Sequence, residues 1–184
     1  MLLKVMLVVT NPRVRATVKD ILVQQGIQIA AEATNAGEIL RRARTLAVDL
    51  VILDIDLEGG RARQAAMVLE EDGIAPVLLL ASEGDPETKE FPYVLKPVSP
   101  YSLIPAIDST LLSNKKRLSL MKEVDRLRDQ LATRKAVEMA KGLIMRERGL
   151  TEEEAHRLMQ KVSMEKGIPL KAVAEAIIAL KNII

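Results

Sequence analysis

The first half of the chain alternates between short apolar runs and longer segments in which apolar residues recur at helical spacing. The runs occupy residues 4–9, 27–33, 49–56, 75–82 and 93–97. Each run is rich in Val, Ile or Leu and apolar at consecutive positions, which predicts strands buried on both faces. The intervening segments are residues 13–26, 35–48, 61–73 and the stretch from residue 102. This alternation predicts the α/β class, with a doubly wound five-stranded parallel sheet covered by helices.

The pattern changes near Leu111, after which the sequence predicts helices alone. Residues 111–132 contain no Gly and no Pro. Four apolar residues in this stretch follow one another at steps of 4, 3 and 4: Leu120, Val124, Leu127 and Leu131. This spacing is typical of a coiled-coil seam and predicts a homodimer through residues 117–131. A linker helix that lies on its own domain is the alternative.

Residues 134–184 predict a bundle of three short helices. The first is expected to end near Gly149, and Thr151 with Glu154 predicts a capping box at the start of the second. Pro169 suits the first turn of the third helix. The predicted organisation is therefore a sheet domain at 1–112, a coiled-coil linker helix at 113–133 and a three-helix domain at 134–184.

Composition and charge indicate in which compartment the protein works and what kind of partner it contacts. The chain has no cysteine, which favours a reducing cytoplasm, and no apolar run approaches the length of a membrane span. Its net charge of +2 hides an asymmetry, because residues 1–112 carry −4 and residues 113–184 carry +6. A basic C-terminal half suggests contact with a polyanion, although a solvated helical surface would have the same charge.

Two charged side chains fall where a doubly wound sheet places its sites, at the carboxyl ends of strands. Asp54 ends the third run, and Lys96, followed by Pro97, ends the fifth. With the sequences VILDID and VLKP, these residues make positions 1–112 resemble the receiver (CheY-like) domain of two-component response regulators. The resemblance implies that Asp54 accepts a phosphoryl group, that Lys96 pairs with it, and that Tyr93 changes rotamer on activation.

The pocket departs from the receiver pattern at the positions that bind metal. Receivers hold Mg²⁺ with an acidic pair after the first strand, where this chain has Thr10 and Asn11. Neutral oxygens bind Mg²⁺ much more weakly than carboxylates do. The sequence therefore predicts no cofactor beyond a weak Mg²⁺ site at Asp54, with help from Asp56.

The fourth strand is followed by a second departure. Ala81 stands where receivers carry Thr or Ser, although Ser82 is adjacent, and EGDPETKEFP (83–92) predicts a shortened fourth helix. Two interpretations remain open. Asp54 and Lys96 form a structural ion pair in an inert receiver-like domain, or Asp54 is phosphorylated slowly or by a non-standard route.

The segment from residue 134 to 178 strongly resembles the ANTAR domain, the output module of the AmiR and NasR transcription antitermination regulators. The matching residues are Arg134, Ala140-Lys141-Gly142-Leu143, Met145, Ala155, Leu158, Met164 and Val173-Ala174. Receiver, coiled coil and ANTAR in this order make the whole chain resemble an AmiR/NasR-type regulator. The resemblance implies that it binds RNA hairpins in a leader transcript, so that polymerase reads through a terminator.

Cationic residues cluster on the first of the three C-terminal helices, at Arg134, Lys135, Lys141, Arg146 and Arg148. Residues 134, 141, 145 and 148 are separated by 7, 4 and 3, which predicts that they share one face. Gly142 is expected to let an RNA backbone approach the helix closely. Together with Met145 these are the candidate RNA-binding residues, because cations hold phosphates while hairpin loops offer unpaired bases. A merely solvated helix face is the alternative.

Three function classes remain from the sequence. The first is an RNA-binding antiterminator controlled by a sensor histidine kinase, and the second is the same binder controlled by a regulatory protein or ligand. The third is a DNA-binding response regulator, which is disfavoured because the third C-terminal helix is apolar rather than basic. An enzyme is not expected, since the sequence has no nucleophile–base pair, metal cluster or phosphate loop.

Overall fold

A computed structural model describes residues 2–34, 36–57, 61–82 and 90–181. Contacts divide the chain into two units, residues 1–117 and 118–184. The predicted end of the sheet domain at residue 112 therefore lies about one helical turn before the division that the structure shows. The segment expected to form a shortened fourth helix falls mainly on residues 83–89, outside the described residues.

The first unit is a five-stranded parallel sheet of order β2-β1-β3-β4-β5, as the doubly wound pattern predicts. The strands are β1 (Lys4–Val8), β2 (Gln28–Ala33), β3 (Leu50–Asp54), β4 (Val77–Ala81) and β5 (Tyr93–Leu95). The helices between and after them are α1 (Pro12–Gln24), α2 (Ala36–Leu46), α3 (Ala62–Glu71) and α4 (Pro100–Arg148). The prediction of the fold class is confirmed.

Apolar residues fill both faces of this sheet because helices cover each side. Along β1, Met6 and Val8 join a core with residues of α2 and α3, while Val5 and Leu7 join a second core with residues of α1 and α4. Consecutive strand residues point to opposite faces, so two cores require apolar side chains at every position. All residues of β3 and β4 are buried, and their carboxyl ends meet at one edge of the sheet.

Helix α4 is a single element of 49 residues that begins in the first unit and ends in the second. The predicted linker helix at 113–133 is thus part of this longer helix. The chain has no Gly and no Pro between Pro105 and Gly142, so nothing in the sequence ends the helix. Residues 118–132 of this helix are all exposed. Despite its length, neither α4 nor any other helix in the described ranges is apolar enough to cross a membrane.

The second unit packs the end of α4 against α5 (Glu152–Lys166) and α6 (Leu170–Lys181). Its small core is aliphatic and consists of Val137, Ala140, Ile144, Ala155, Met159, Val173 and Ala174. The predicted capping box is present: Thr151 Oγ1 accepts from the Glu154 N–H, and the Glu154 carboxylate accepts from the Thr151 N–H. Gly149 ends α4 with a φ of 65°, a conformation that favours glycine.

Candidate functional sites

The first candidate site lies at the carboxyl edge of the sheet, where the ends of β3 and β5 bring Asp54 and Lys96 together. Asp54 is 1% exposed. The Lys96 ammonium donates to Asp54 Oδ1 at 2.8 Å and to Asp56 Oδ2 at 2.6 Å. The sequence pairing of Asp54 with Lys96 is therefore seen in the structure, with Asp56 as a second partner. The cation sits directly on the carboxylate that the receiver pattern marks as phospho-acceptor.

Two opposing effects act on the Lys96 ammonium. Burial lowers the pKa of Lys96, because a charged group loses hydration, but the hydrogen bonds and charges of Asp54 and Asp56 outweigh this effect. The net pKa of Lys96 lies above its ordinary value. The lysine is therefore a fixed cation at neutral pH, and two carboxylates hold it.

The residues in place of the receiver's acidic pair are used for local structure. Asn11 caps α1, and its Oδ1 accepts from the N–H groups of Arg13 at 2.9 Å and Val14 at 3.4 Å. The Thr10 hydroxyl donates to the Thr34 carbonyl at 3.4 Å. The side-chain oxygens of both residues thus have partners outside the Asp54–Lys96 pair.

The remaining predicted pocket residues differ in their surroundings. Ala81 is fully buried at the end of β4 and offers no hydroxyl. The neighbouring Ser82 donates to Asp56 Oδ2 at 3.4 Å, so a hydroxyl does reach the cluster from the next position. Tyr93 is 47% exposed on the outer strand β5.

The donor set fits a divalent cation poorly. Mg²⁺ prefers carboxylate oxygens in octahedral geometry, and the carboxylates of Asp54 and Asp56 both hold Lys96. Within the described ranges no group of three or more acidic, His or Cys side chains could hold a metal ion. A metal would have to compete with an ammonium that is already in place.

The second candidate site is the exposed surface of α4 in the second unit. Arg134, Lys135, Arg146 and Arg148 are exposed, and none of the four has a carboxylate partner within the described part of the chain. Met145 is 36% exposed beside them. The position where a Cβ would stand at Gly142 has nothing within 4 Å. The glycine is thus not required by packing inside the second unit.

Lys141 is the exception among the predicted RNA-binding residues. It is 8% exposed and lies beside the small core instead of on the open surface. Its ammonium pairs with Glu138 on α4 at 2.8 Å and with Glu152 on the first turn of α5 at 2.7 Å. Hydrogen bonds to Glu138 and Glu152 raise the pKa of Lys141 above its ordinary value. The face that the sequence assigns to Arg134, Lys141 and Arg148 therefore borders the core at position 141.

The sequence alone does not indicate Lys166 as a cation near this surface. Lys166, in the last turn of α5, and Arg148 both line an open, mainly apolar groove of about 760 Å³ between α4, α5 and α6. Leu143, Leu158 and Ile177 form part of the groove wall. The spacing of cations along one helix does not reveal Lys166, since it reaches the groove from a different helix.

Comparison with protein families and with solved structures agrees with this two-part organisation. The ANTAR domain model matches residues 125–178. The signal receiver domain of a modulated diguanylate cyclase from Desulfovibrio desulfuricans G20 superposes with a TM-score of 0.58 at 25% identity, covering 64% of this chain and 99% of that one. The response regulator StyR gives a TM-score of 0.62 over 96% of this chain and all of its own, and its 17% identity shows the fold alone.

Curated relatives extend the likeness to nearly the full length. The transcriptional regulatory protein PdtaR of Mycobacterium tuberculosis is 31% identical over 172 residues, which is 90% of this chain and 84% of that protein. The DNA-binding transcriptional activator EvgA of Escherichia coli is 29% identical over 72 residues, only 39% of this chain and 35% of that protein. With a receiver-like sheet domain, an ANTAR match and a relative that spans both, the chain belongs to the AmiR/NasR-type family of response regulators, which regulate transcription through an ANTAR domain.

Proposed function

We propose that this response regulator is a transcription antiterminator that binds hairpins in a leader RNA. The observation that carries the proposal is the set of exposed cations on α4: Arg134, Lys135, Arg146 and Arg148. The part of the chain that the structure describes offers none of them a carboxylate. A phosphate can therefore bind each cation in a charge-assisted hydrogen bond without first displacing an acidic side chain.

Binding measurements with three nucleic acids test the proposal. Fluorescence anisotropy compares a labelled RNA with two hairpins, the same RNA with one hairpin and a duplex DNA of equal charge. The protein is expected to bind the two-hairpin RNA most tightly. Equal affinity for the duplex would support a DNA-binding regulator instead, like the transcriptional activator EvgA.

A charge-reversal pair identifies the surface. Arg134→Glu is expected to weaken RNA binding by about tenfold and to lower the slope of log K against log[salt] by about 0.7–0.9. Arg157→Glu is the matched control, because Arg157 is also exposed in the second unit but pairs with Glu153 at 2.6 Å. If both variants lose affinity equally, the effect is one of net charge and the α4 surface is not the binding site.

We also propose that two copies associate through the exposed stretch of α4. Leu120, Val124, Leu127 and Leu131 are 67%, 45%, 50% and 54% exposed, and their steps of 4 and 3 place them on one stripe. Burying each half-exposed side chain against a partner would contribute about 1 kcal/mol. A dimer would also present two RNA-binding surfaces, and tethering raises the effective concentration of the second one.

Sedimentation velocity tests the dimer. Leu127→Asp is expected to shift the wild-type dimer to monomer at micromolar concentration, because it places a charge in the stripe. Ala132→Asp introduces the same charge at an exposed position outside the stripe and is expected to leave the dimer intact. A monomeric wild-type protein, or equal effects of the two changes, would rule out this association.

A second candidate function differs only in the input to the first unit. Control by a regulatory protein or ligand, in place of a sensor histidine kinase, is favoured by the Lys96 ammonium, which covers Asp54, and by Asn11, which is engaged as a helix cap. Incubation with acetyl phosphate and Mg²⁺, followed by intact mass measurement, separates the two inputs. A phosphoryl mass gain that Asp54→Asn removes would establish phosphorylation, and no gain would favour the partner or ligand.

A further inference from the structure

The ion cluster around Lys141 joins two helices on either side of a turn. Glu138 and Lys141 lie one helical turn apart on α4, and Glu152 opens α5, eleven residues further along the chain. The residues between Lys141 and Glu152 include the end of α4, with the exposed Arg146 and Arg148, and the turn at Gly149. The cluster therefore closes a loop that carries two of the candidate RNA-binding cations.

Lys141 is much less exposed than the cations near it in the sequence. Its side chain is 9% exposed, while those of Glu138 and Glu152 are 58% and 68% exposed. The two acidic side chains that pair with the ammonium are thus far more exposed than Lys141 itself. A phosphate that approached Lys141 would meet two negative groups before it met the positive one, and like charges repel.

We propose that Lys141 is a positioning residue for RNA binding, which fixes α5 to α4 through Glu152 and thereby orients Arg146 and Arg148, and that it does not contact phosphate itself. The proposal rests on the RNA-binding function proposed above and assigns a mechanism to one of its residues. Two flanking contacts hold the same turn: the Thr151–Glu154 capping box and the bond from the Gly149 N–H to the Met145 carbonyl at 3.0 Å.

A direct-contact role and a positioning role predict opposite effects of neutralising Glu152. If Lys141 binds phosphate, Glu152→Gln frees its ammonium and removes a repulsive charge, so RNA affinity rises. If Lys141 positions the turn through Glu152, the same change loosens the turn and affinity falls. Neutralising an acidic residue in an RNA-binding domain would then weaken binding to a polyanion, a result that electrostatic attraction alone does not produce.

The experiment is a double-mutant cycle in the full-length protein. Lys141→Gln and Glu152→Gln are each expected to weaken binding of the two-hairpin RNA on the order of 3- to 10-fold, and the double variant no more than either single one. Lys141→Arg, which keeps a cation between the carboxylates, is expected to restore most of the affinity. Affinity that is unchanged or higher in Glu152→Gln overturns the proposal, as does a loss that adds in the double variant.

Glu153→Gln is the matched control. It removes the same charge from the same turn of α5, but Glu153 pairs with Arg157 on its own helix. It is expected to leave RNA affinity unchanged or to raise it slightly. Equal losses in Glu152→Gln and Glu153→Gln overturn the proposal, and this comparison decides even if Lys141→Gln does not fold. Titration at stoichiometric protein concentration gives the active fraction, so partial unfolding is not mistaken for weaker binding.

A measurement without RNA separates the failure of this proposal from failure of RNA binding. Amide hydrogen exchange at Gly149 and Ala155, on either side of the turn, is expected to accelerate in Lys141→Gln and Glu152→Gln and not in Glu153→Gln. If exchange is faster in these two variants while the wild-type protein binds no RNA, the link between the helices stands and the proposed function fails. Unchanged exchange in both variants overturns the link itself.

Discussion

Replacing Gly142 with alanine is expected to move stability and RNA binding in opposite directions. A glycine in a helix interior costs about 0.5–1 kcal/mol relative to alanine, because its backbone loses more freedom on folding. The structure adds that an alanine Cβ at this position would meet nothing within 4 Å. The full propensity gain should therefore be realised, and the second unit should become more stable by about 0.5–1 kcal/mol.

Native-state hydrogen exchange of the buried amides of α5, such as Ala155 and Met159, measures this gain in the second unit alone. Each kcal/mol corresponds to about a fivefold slower exchange in the regime where opening is at equilibrium. RNA affinity measured on the same sample is expected to fall by about tenfold, since a methyl group would hold the RNA backbone away from the helix. Gln160→Ala, at an exposed position of α5, is the control and should change neither quantity by more than about 0.5 kcal/mol.

Each half of this prediction can fail separately. A loss of stability in Gly142→Ala would refute the argument that the position is open. A stable variant with unchanged RNA affinity would refute the argument that RNA approaches there, and the glycine would then need another explanation.

Three further predictions concern the charged groups of the two units. Lys96→Met leaves the buried Asp54 without its cation and is expected to destabilise the first unit by about 2–4 kcal/mol in urea unfolding. Adding Asp54→Asn should recover part of this loss. If Lys96→Met loses no stability, the pair is not formed in solution. Thr151→Ala removes the acceptor for the Glu154 N–H and should cost the second unit about 1 kcal/mol, as read from amide exchange in α5. Hydrogen bonds from the N–H and hydroxyl of Thr151 hold the pKa of Glu154 below its ordinary value, so this contribution is present above the ordinary glutamate pKa and is lost as the pH falls through the lower folded value. Unfolding in urea from neutral to acidic pH should show a shallower acid loss for Glu154→Gln than for the wild type.

Sequence patterns predicted the elements whose physical cause is local. The buried strands followed from consecutive apolar residues, and the α5 start followed from Thr151 and Glu154, since a capping box is read within four residues. The absence of Gly and Pro from residue 106 to 141 is in the same way the local signal for the continuity of α4.

The candidate sites were predictable only as far as sequence spacing determines geometry. Asp54 and Lys96 could be paired, because parallel strands end at one edge of the sheet. Periodicity also placed Lys141 on one face with Arg134 and Arg148, but it did not show how near that face lies to the core. The partner Glu152 lies across a turn, and its contact with Lys141 depends on how α4 and α5 pack. The spacing of residues along either helix does not determine how the two helices pack against each other.

Asn11 caps helix α1, so replacing it with an acidic residue should not disturb the fold. Aspartate and asparagine cap helices about equally well, since each offers one oxygen to the free N–H groups of the first turn. Exchanging one amide for a carboxylate, Asn11→Asp, would leave α1 intact and place a new anion after β1. One of the two neutral positions after β1 can thus become a carboxylate at a site where folding is indifferent to the choice.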